Sequence, residues 1–203
     1  VLYKKEDLSI LYNYKQYNEF LSHMNDIRPT ERNNEWKKQV LEMSSQFLDE
    51  SIRLKEFSKS NYKTLKKVMN VNVVSSNEIF LLKRKDFIIG YLQNCFKHDS
   101  KEKCYQVSKE AYLESPLKRE LSDIPAAIGL LLIENQIDNN KLIPFFQYAL
   151  IGERSKFLCQ NEGVRNFIFN RFKKFNMKNP SSKEVKLFSA DNFSPECLSS
   201  VLN

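Results

Sequence analysis

Glycine is scarce. Four glycines and six prolines in 203 residues argue against a sheet-rich fold, because tight turns draw on glycine for positive φ or on proline for a fixed one. The scarcity also removes glycine-rich phosphate loops. Neither G-x-G-x-x-G nor G-x-x-x-x-G-K occurs, which excludes nucleotide binding by those routes. Histidine is nearly missing too, with only His23 and His98. Neither has a serine or cysteine at a useful spacing, and the adjacent residues of "HDS" at 98–100 cannot place three side chains in a relay. No apolar run reaches the ~20 residues of a membrane helix; the longest, Ile124 to Ile133, is about half that.

Aromatic and aliphatic side chains are plentiful. Apolar residues make up 41%, with 15 Phe and 9 Tyr, enough to offset chain entropy and build a core. Their spacing is helical. Leu8, Tyr12, Phe20, Leu21, Met24 and Ile27 predict one helix over about 6–27, ended before Pro29. A second follows from Asn33 or Asn34 as cap, with Trp36, Val40, Phe47, Ile52 and Leu54 on its apolar face. A short lysine-rich helix is expected over 62–69, then a loop at "NVNVVSS" (70–76). The segment 77–97 predicts a helix with Ile79, Phe80, Leu82, Phe87, Leu92 and Cys95 on its buried side. "DSKE" (99–102) has capping-box form and starts the next. "SDIPAAIGLLLIENQ" (122–136) is apolar nearly all round, as a central buried helix is. Asn140 is expected to cap "KLIPFFQYALIG", with Pro144 in its first turn, and 162–176 predicts a last amphipathic helix.

These signals predict an all-α fold of about seven to nine helices. The arrangement is either an irregular bundle or a short HEAT-like superhelical stack of helical hairpins. Residues 120–152 loosely resemble one hairpin of such an array, on a proline-bearing first helix and a polar turn. Residues 1–178 read as a single helical domain, and 179–203 as a polar tail tied back to the body.

Four cysteines are present: Cys95, Cys104, Cys159 and Cys197. Cys95 falls in the last turn of one predicted helix and Cys104 early in the next, so both sit at one helix corner. Bonded side chains there need Cα atoms within ~4.4–6.8 Å. The favoured reading pairs Cys95 with Cys104 and, by elimination, Cys159 with Cys197, which places the protein in an oxidising compartment. Four buried thiols in a reducing compartment are the bland alternative. A third is a metal site at Cys95, His98 and Cys104, but C-x2-H-x5-C lacks the second close ligand pair of a zinc motif, and no metal or cofactor is expected.

Net charge is +7. The excess lies in two blocks, "NYKTLKKVMN" with "LLKRKDF", and "RNFIFNRFKKFNMK". Solvation of helix faces explains most such lysines. In the second block aromatics interleave with bases, and Arg165, Phe169, Arg171, Lys173 and Lys174 are the candidate binding residues. Lysine outnumbers arginine about three to one, which disfavours bidentate reading of phosphates or bases. Glu134, inside the apolar helix, is the carboxylate with a case for a raised pKa and a general-acid role, but the nearby helix end favours its escape to solvent. The expected function is therefore a non-catalytic, exported (periplasmic or secreted) binding domain for a protein or an anionic polymer. A nucleic-acid-binding or host-directed effector domain is one alternative. A cell-envelope polysaccharide hydrolase with a shielded glutamate is the other.

Overall fold

A computed structural model of the chain describes residues 2–113, 120–146, 158–167 and 170. Among them all regular structure is helical and no strand occurs, as the spacing and the few glycines predicted. The chain divides into two compact units, Val1–Asn94 and Cys95–Asn203. The boundary falls inside a helix, where the sequence carries no linker signal. The tail 179–203 lies outside the described residues.

The first unit holds α1 (Lys5–Asn13), α2 (Tyr17–His23), two 3-10 turns (Met24–Asp26 and Pro29–Glu31), α3 (Asn34–Arg53), α4 (Lys59–Met69), α5 (Asn72–Ser75) and most of α6 (Glu78–His98). Short polar caps start the longer helices. Asn33 Oδ1 accepts from Trp36 N at 2.9 Å, Ser58 Oγ from Asn61 N at 3.1 Å, and Asn77 Oδ1 from Phe80 N at 2.9 Å. Each satisfies an N–H that the helix ladder leaves open, a contribution of about 1 kcal/mol.

The helix expected over 6–27 is broken in two. At Lys15 the backbone turns left-handed, φ 58°. Gln16 N then bonds Leu11 O and Lys15 N bonds Tyr12 O, which closes α1 with a Schellman motif. The same closure ends α3 at Lys55 (φ 56°), where Glu56 N bonds Ser51 O and Lys55 N bonds Ile52 O. Leu54, expected on the apolar face, is therefore exposed. A glycine-poor chain gives no glycine signal for these stops, so the apolar spacing runs on through the first of them.

The core of this unit gathers Phe20, Leu21 and Met24 against Val40, Met43, Phe47 and Leu48 of α3, with Leu65 and Val68 of α4, all essentially without solvent exposure. Each such side chain contributes about 1.5–3 kcal/mol by burial. Phe80 and Phe87 of α6 are buried as expected, but Ile79 and Leu82 are 67% and 58% exposed. Four successive apolar residues, 79–82, cannot all share one helix face, and the fold turns Phe80 and Leu81 inward instead. The expected loop at 70–76 contains α5, one helical turn whose Val74 is buried.

The second unit contains the end of α6, α7 (Lys101–Leu113), α8 (Glu120–Glu134), a 3-10 turn (Asn139–Lys141) and α9 (Ile143–Phe146); residues 162–167 are also helical. Ser100, rather than Asp99, caps α7: its Oγ accepts from Lys103 N, while Asp99 pairs with the Lys103 ammonium. Cys95 and Cys104 are joined in a disulfide with Cα atoms 5.8 Å apart. In α8, Ile124, Ile128, Leu131 and Leu132 are buried, but Ala126, Ala127, Leu130 and Ile133 keep part of their surface in solvent, so the helix is not enclosed on every side as expected. Gly129 is buried under the ring of Phe146, close enough that an added Cβ would lie 2.6 Å from its Cζ. Pro144 occupies the first turn of α9 as predicted. α8 ends in a third Schellman closure at Gln136 (φ 57°), with Ile137 N on Leu132 O.

Candidate functional site

A groove of about 840 Å³ opens in the first unit, within the ~300–1,000 Å³ range of small-ligand sites. One wall is the segment that leads into α3. Pro29 fixes the start of a 3-10 turn, and Arg32 follows it. The Arg32 Nε donates to Ile27 O at 2.9 Å and its Nη2 to Asn25 O at 3.3 Å. The guanidinium lies over the Trp36 ring, 5.0 Å from its centroid, a cation–π contact. Trp36 is itself only 5% exposed and donates its Nε1–H to Met24 O. Arg32 is thus held in place before any ligand arrives. The facing wall is the end of α4 and α5, contributing Asn70, Asn72 and Ser76. Ser76 is committed, since its hydroxyl donates to Asn72 O at 2.7 Å.

Charge in the groove is of one sign. Arg32 and Lys37 line it, and among the described residues no Asp or Glu does. Lys37 and the side-chain amides of Asn25, Asn70 and Asn72 make no hydrogen bond among the described residues. The groove therefore offers one fixed cation, one uncommitted cation and three amides that can each donate and accept.

Behind it, the Met24–Asp26 turn is pinned by the N-terminal segment. The Tyr3 ring stacks on His23 at 3.8 Å and an interplanar angle of 5°. Asp26 Oδ2 lies 2.8 Å from His23 Nδ1 and accepts from Tyr3 N at 3.1 Å. The hydrogen bond from His23 holds the Asp26 carboxyl below its ordinary pKa, helped by Tyr3 N–H and the charge of Lys67. The Lys67 ammonium donates to Ser22 O at 2.5 Å, and partial burial lowers its pKa. A carboxylate orienting an imidazole is half of a hydrolytic relay. Here the ring carries a stacked tyrosine, and among the described residues no hydroxyl or thiol bonds its other nitrogen. The cluster works as a latch.

Of the five candidate binding residues only Arg165 falls among the described residues. Arg165 is half-buried, and its Nη1 donates to Cys159 O at 2.9 Å and Gln160 O at 2.8 Å. It ties the turn that precedes helix 162–167. Phe169, Arg171, Lys173 and Lys174 lie outside the described residues. Cys95 and Cys104 are bonded to each other, which takes both thiolates from the zinc alternative. Cys159 is buried; its expected partner Cys197 lies outside the described residues. Among the described residues no cluster of His, Cys, Asp and Glu has the form of a metal site. His98 and Glu134 are exposed at the ends of α6 and α8, so Glu134 is solvated rather than shielded. Several lysines of the first basic block are already occupied: Lys67 on Ser22 O, Lys83 on Asp49 at 2.7 Å, Lys66 over the Tyr62 ring.

The groove was missed in the sequence because its residues come from two turns rather than from one periodic helix face. The available signal was two turn-rich stretches, "NDIRPTERNNEW" and "NVNVVSS", one carrying the lone tryptophan between cations. No family model, curated protein or solved structure matches the chain.

Proposed function

We propose that the chain is a non-catalytic binding domain for an anionic partner, with the groove of the Val1–Asn94 unit as its seat. One observation carries this reading: among the described residues the groove has two cationic side chains and no acidic one. Such a one-signed cleft concentrates counter-charge and favours an anion over a neutral ligand. With its Nε and Nη2 held by Ile27 O and Asn25 O, Arg32 presents its fixed charge and Nη1 donors to an oxyanion, and the free Lys37 adds a point charge. The Cys95–Cys104 disulfide supports work in an oxidising compartment, where such bonds persist.

The test uses the single tryptophan, Trp36, as reporter. Polyphosphate, polyglutamate and pectate are titrated against its emission over a salt series. At least one should shift the emission, and the affinity should fall as salt rises. Lys37→Glu should weaken that binding by about tenfold or more, since a charge-assisted contact is lost and a repulsion gained. Emission indifferent to all three polyanions, or binding indifferent to both salt and Lys37→Glu, refutes the reading.

A further inference from the structure

The uncommitted groups of the groove narrow its ligand. We infer that the groove takes an acidic saccharide, a sugar chain bearing carboxylate or sulfate groups; this rests on the groove being the anion seat proposed above. Cations alone would suit any polyanion. The other three free polar side chains are amides, from Asn25, Asn70 and Asn72. An amide presents a donor and an acceptor side by side. A sugar hydroxyl is also both donor and acceptor, so amides match a polyhydroxylated chain. Phosphate or carboxylate oxygens only accept, so they use the amide N–H groups and leave the amide oxygens of these exposed side chains to water.

The aromatic of the groove argues against a single-stranded nucleic acid. Readers of single strands stack bases on open aromatic faces. Trp36 is 5% exposed and Arg32 occupies its ring face, so the groove has no stacking platform. The cavity, about 840 Å³, has the size of sites that enclose a small ligand, and a few sugar units fit that scale. Arg32, held by Ile27 O and Asn25 O, takes the acid group, with Lys37 beside it. Asn70 and Asn72 take hydroxyls from the facing wall.

The experiment titrates the intact chain with trigalacturonate, its neutral methyl ester, tripolyphosphate and a short oligouridylate, each read by Trp36 emission. The variants are Lys37→Glu and the double variant Asn70→Ala with Asn72→Ala, all at exposed positions. Trigalacturonate and a heparin-derived tetrasaccharide are compared to tell a carboxylate sugar from a sulfated one. The expected result is saccharide binding at least tenfold tighter than that of the methyl ester. The double Asn variant should weaken it by about tenfold, as the loss of hydrogen bonds of ordinary net strength would, and Lys37→Glu by more. Tripolyphosphate binding should ignore the Asn changes. Tripolyphosphate or oligouridylate binding as tightly as either acidic sugar overturns the saccharide inference and leaves the anion seat standing. So does acidic-sugar binding that ignores the Asn changes. Silence of Trp36 to every anion removes both.

Discussion

Three helices of this chain close through residues that dislike the conformation they hold. Lys15, Lys55 and Gln136 sit at φ 58°, 56° and 57°, where a Cβ crowds the following carbonyl and costs about 1–2 kcal/mol. Glycine there relieves that crowding but raises the entropy of the unfolded chain, at a cost of roughly 0.5–1 kcal/mol. All three side chains are exposed, so their removal forfeits little packing. Each of Lys15→Gly, Lys55→Gly and Gln136→Gly should therefore stabilise by about 0.5–1 kcal/mol. With a urea m-value of about 2 kcal/mol/M, the midpoint rises by roughly 0.25–0.5 M at unchanged slope. The matching alanine variants keep the Cβ and should stay within about 0.5 kcal/mol of the parent. Glycine variants that melt at or below the parent midpoint, with m unchanged, would refute the assignment of strain at these closures.

Leu131→Asp should cost several kcal/mol, because it puts an unpaired carboxylate into a position only 6% exposed; an unchanged melting temperature contradicts the burial. Gly129→Ala gains about 1 kcal/mol of helix propensity but presses a methyl into Phe146, itself 1% exposed. Overpacking of about 1–3 kcal/mol should win, and a higher urea midpoint would show that the ring moves aside. The folded pKa of Asp26 lies below its unfolded value of about 3.9. Its contribution to stability is therefore fully present above that pH and is lost as pH falls through the folded pKa. Asp26→Asn should flatten the acid limb of the stability profile, and an unchanged limb counts against the latch. Reduction of Cys95–Cys104, which spans nine positions, should cost about 2.5–3 kcal/mol by the loop-entropy model. Mass spectrometry with and without reductant counts the thiols, and a reductant-insensitive urea midpoint refutes the estimate.

The helical class was legible because apolar spacing at three and four residues needs no tertiary knowledge. Caps were legible in part: Asn33 announced itself by type, but the spacing did not single out Asn77 as the cap of α6, and Asn140, expected to cap the helix from 141, lies inside the 3-10 turn Asn139–Lys141 instead. Helix stops were not. Lys15 and Lys55 end helices through a backbone angle that neither side chain advertises. The outward turn of Ile79 and Leu82 was invisible too, since four apolar residues in a row leave the choice of face to tertiary packing. The disulfide at the α6–α7 corner was readable from position alone. The groove was not, because Arg32 and Trp36 meet Asn70 and Asn72 only after the chain has returned across some thirty-five residues.

The short span between Cys95 and Cys104 also bears on how the chain is made. Closing a loop of about ten residues takes on the order of 10–100 ns, so these two thiols meet as soon as both have emerged. Cys159 lies 159 − 104 = 55 positions beyond Cys104. The extra closure entropy of the longer loop, (3/2)RT ln(55/9), is about 1.6 kcal/mol, more than a tenfold handicap in encounter. In an N-to-C emerging chain Cys104 thus meets Cys95 before Cys159 exists, and once all three are present the short loop still favours that encounter. The bond itself forms only when an oxidant removes two electrons and two protons from the thiol pair, a step of seconds or longer.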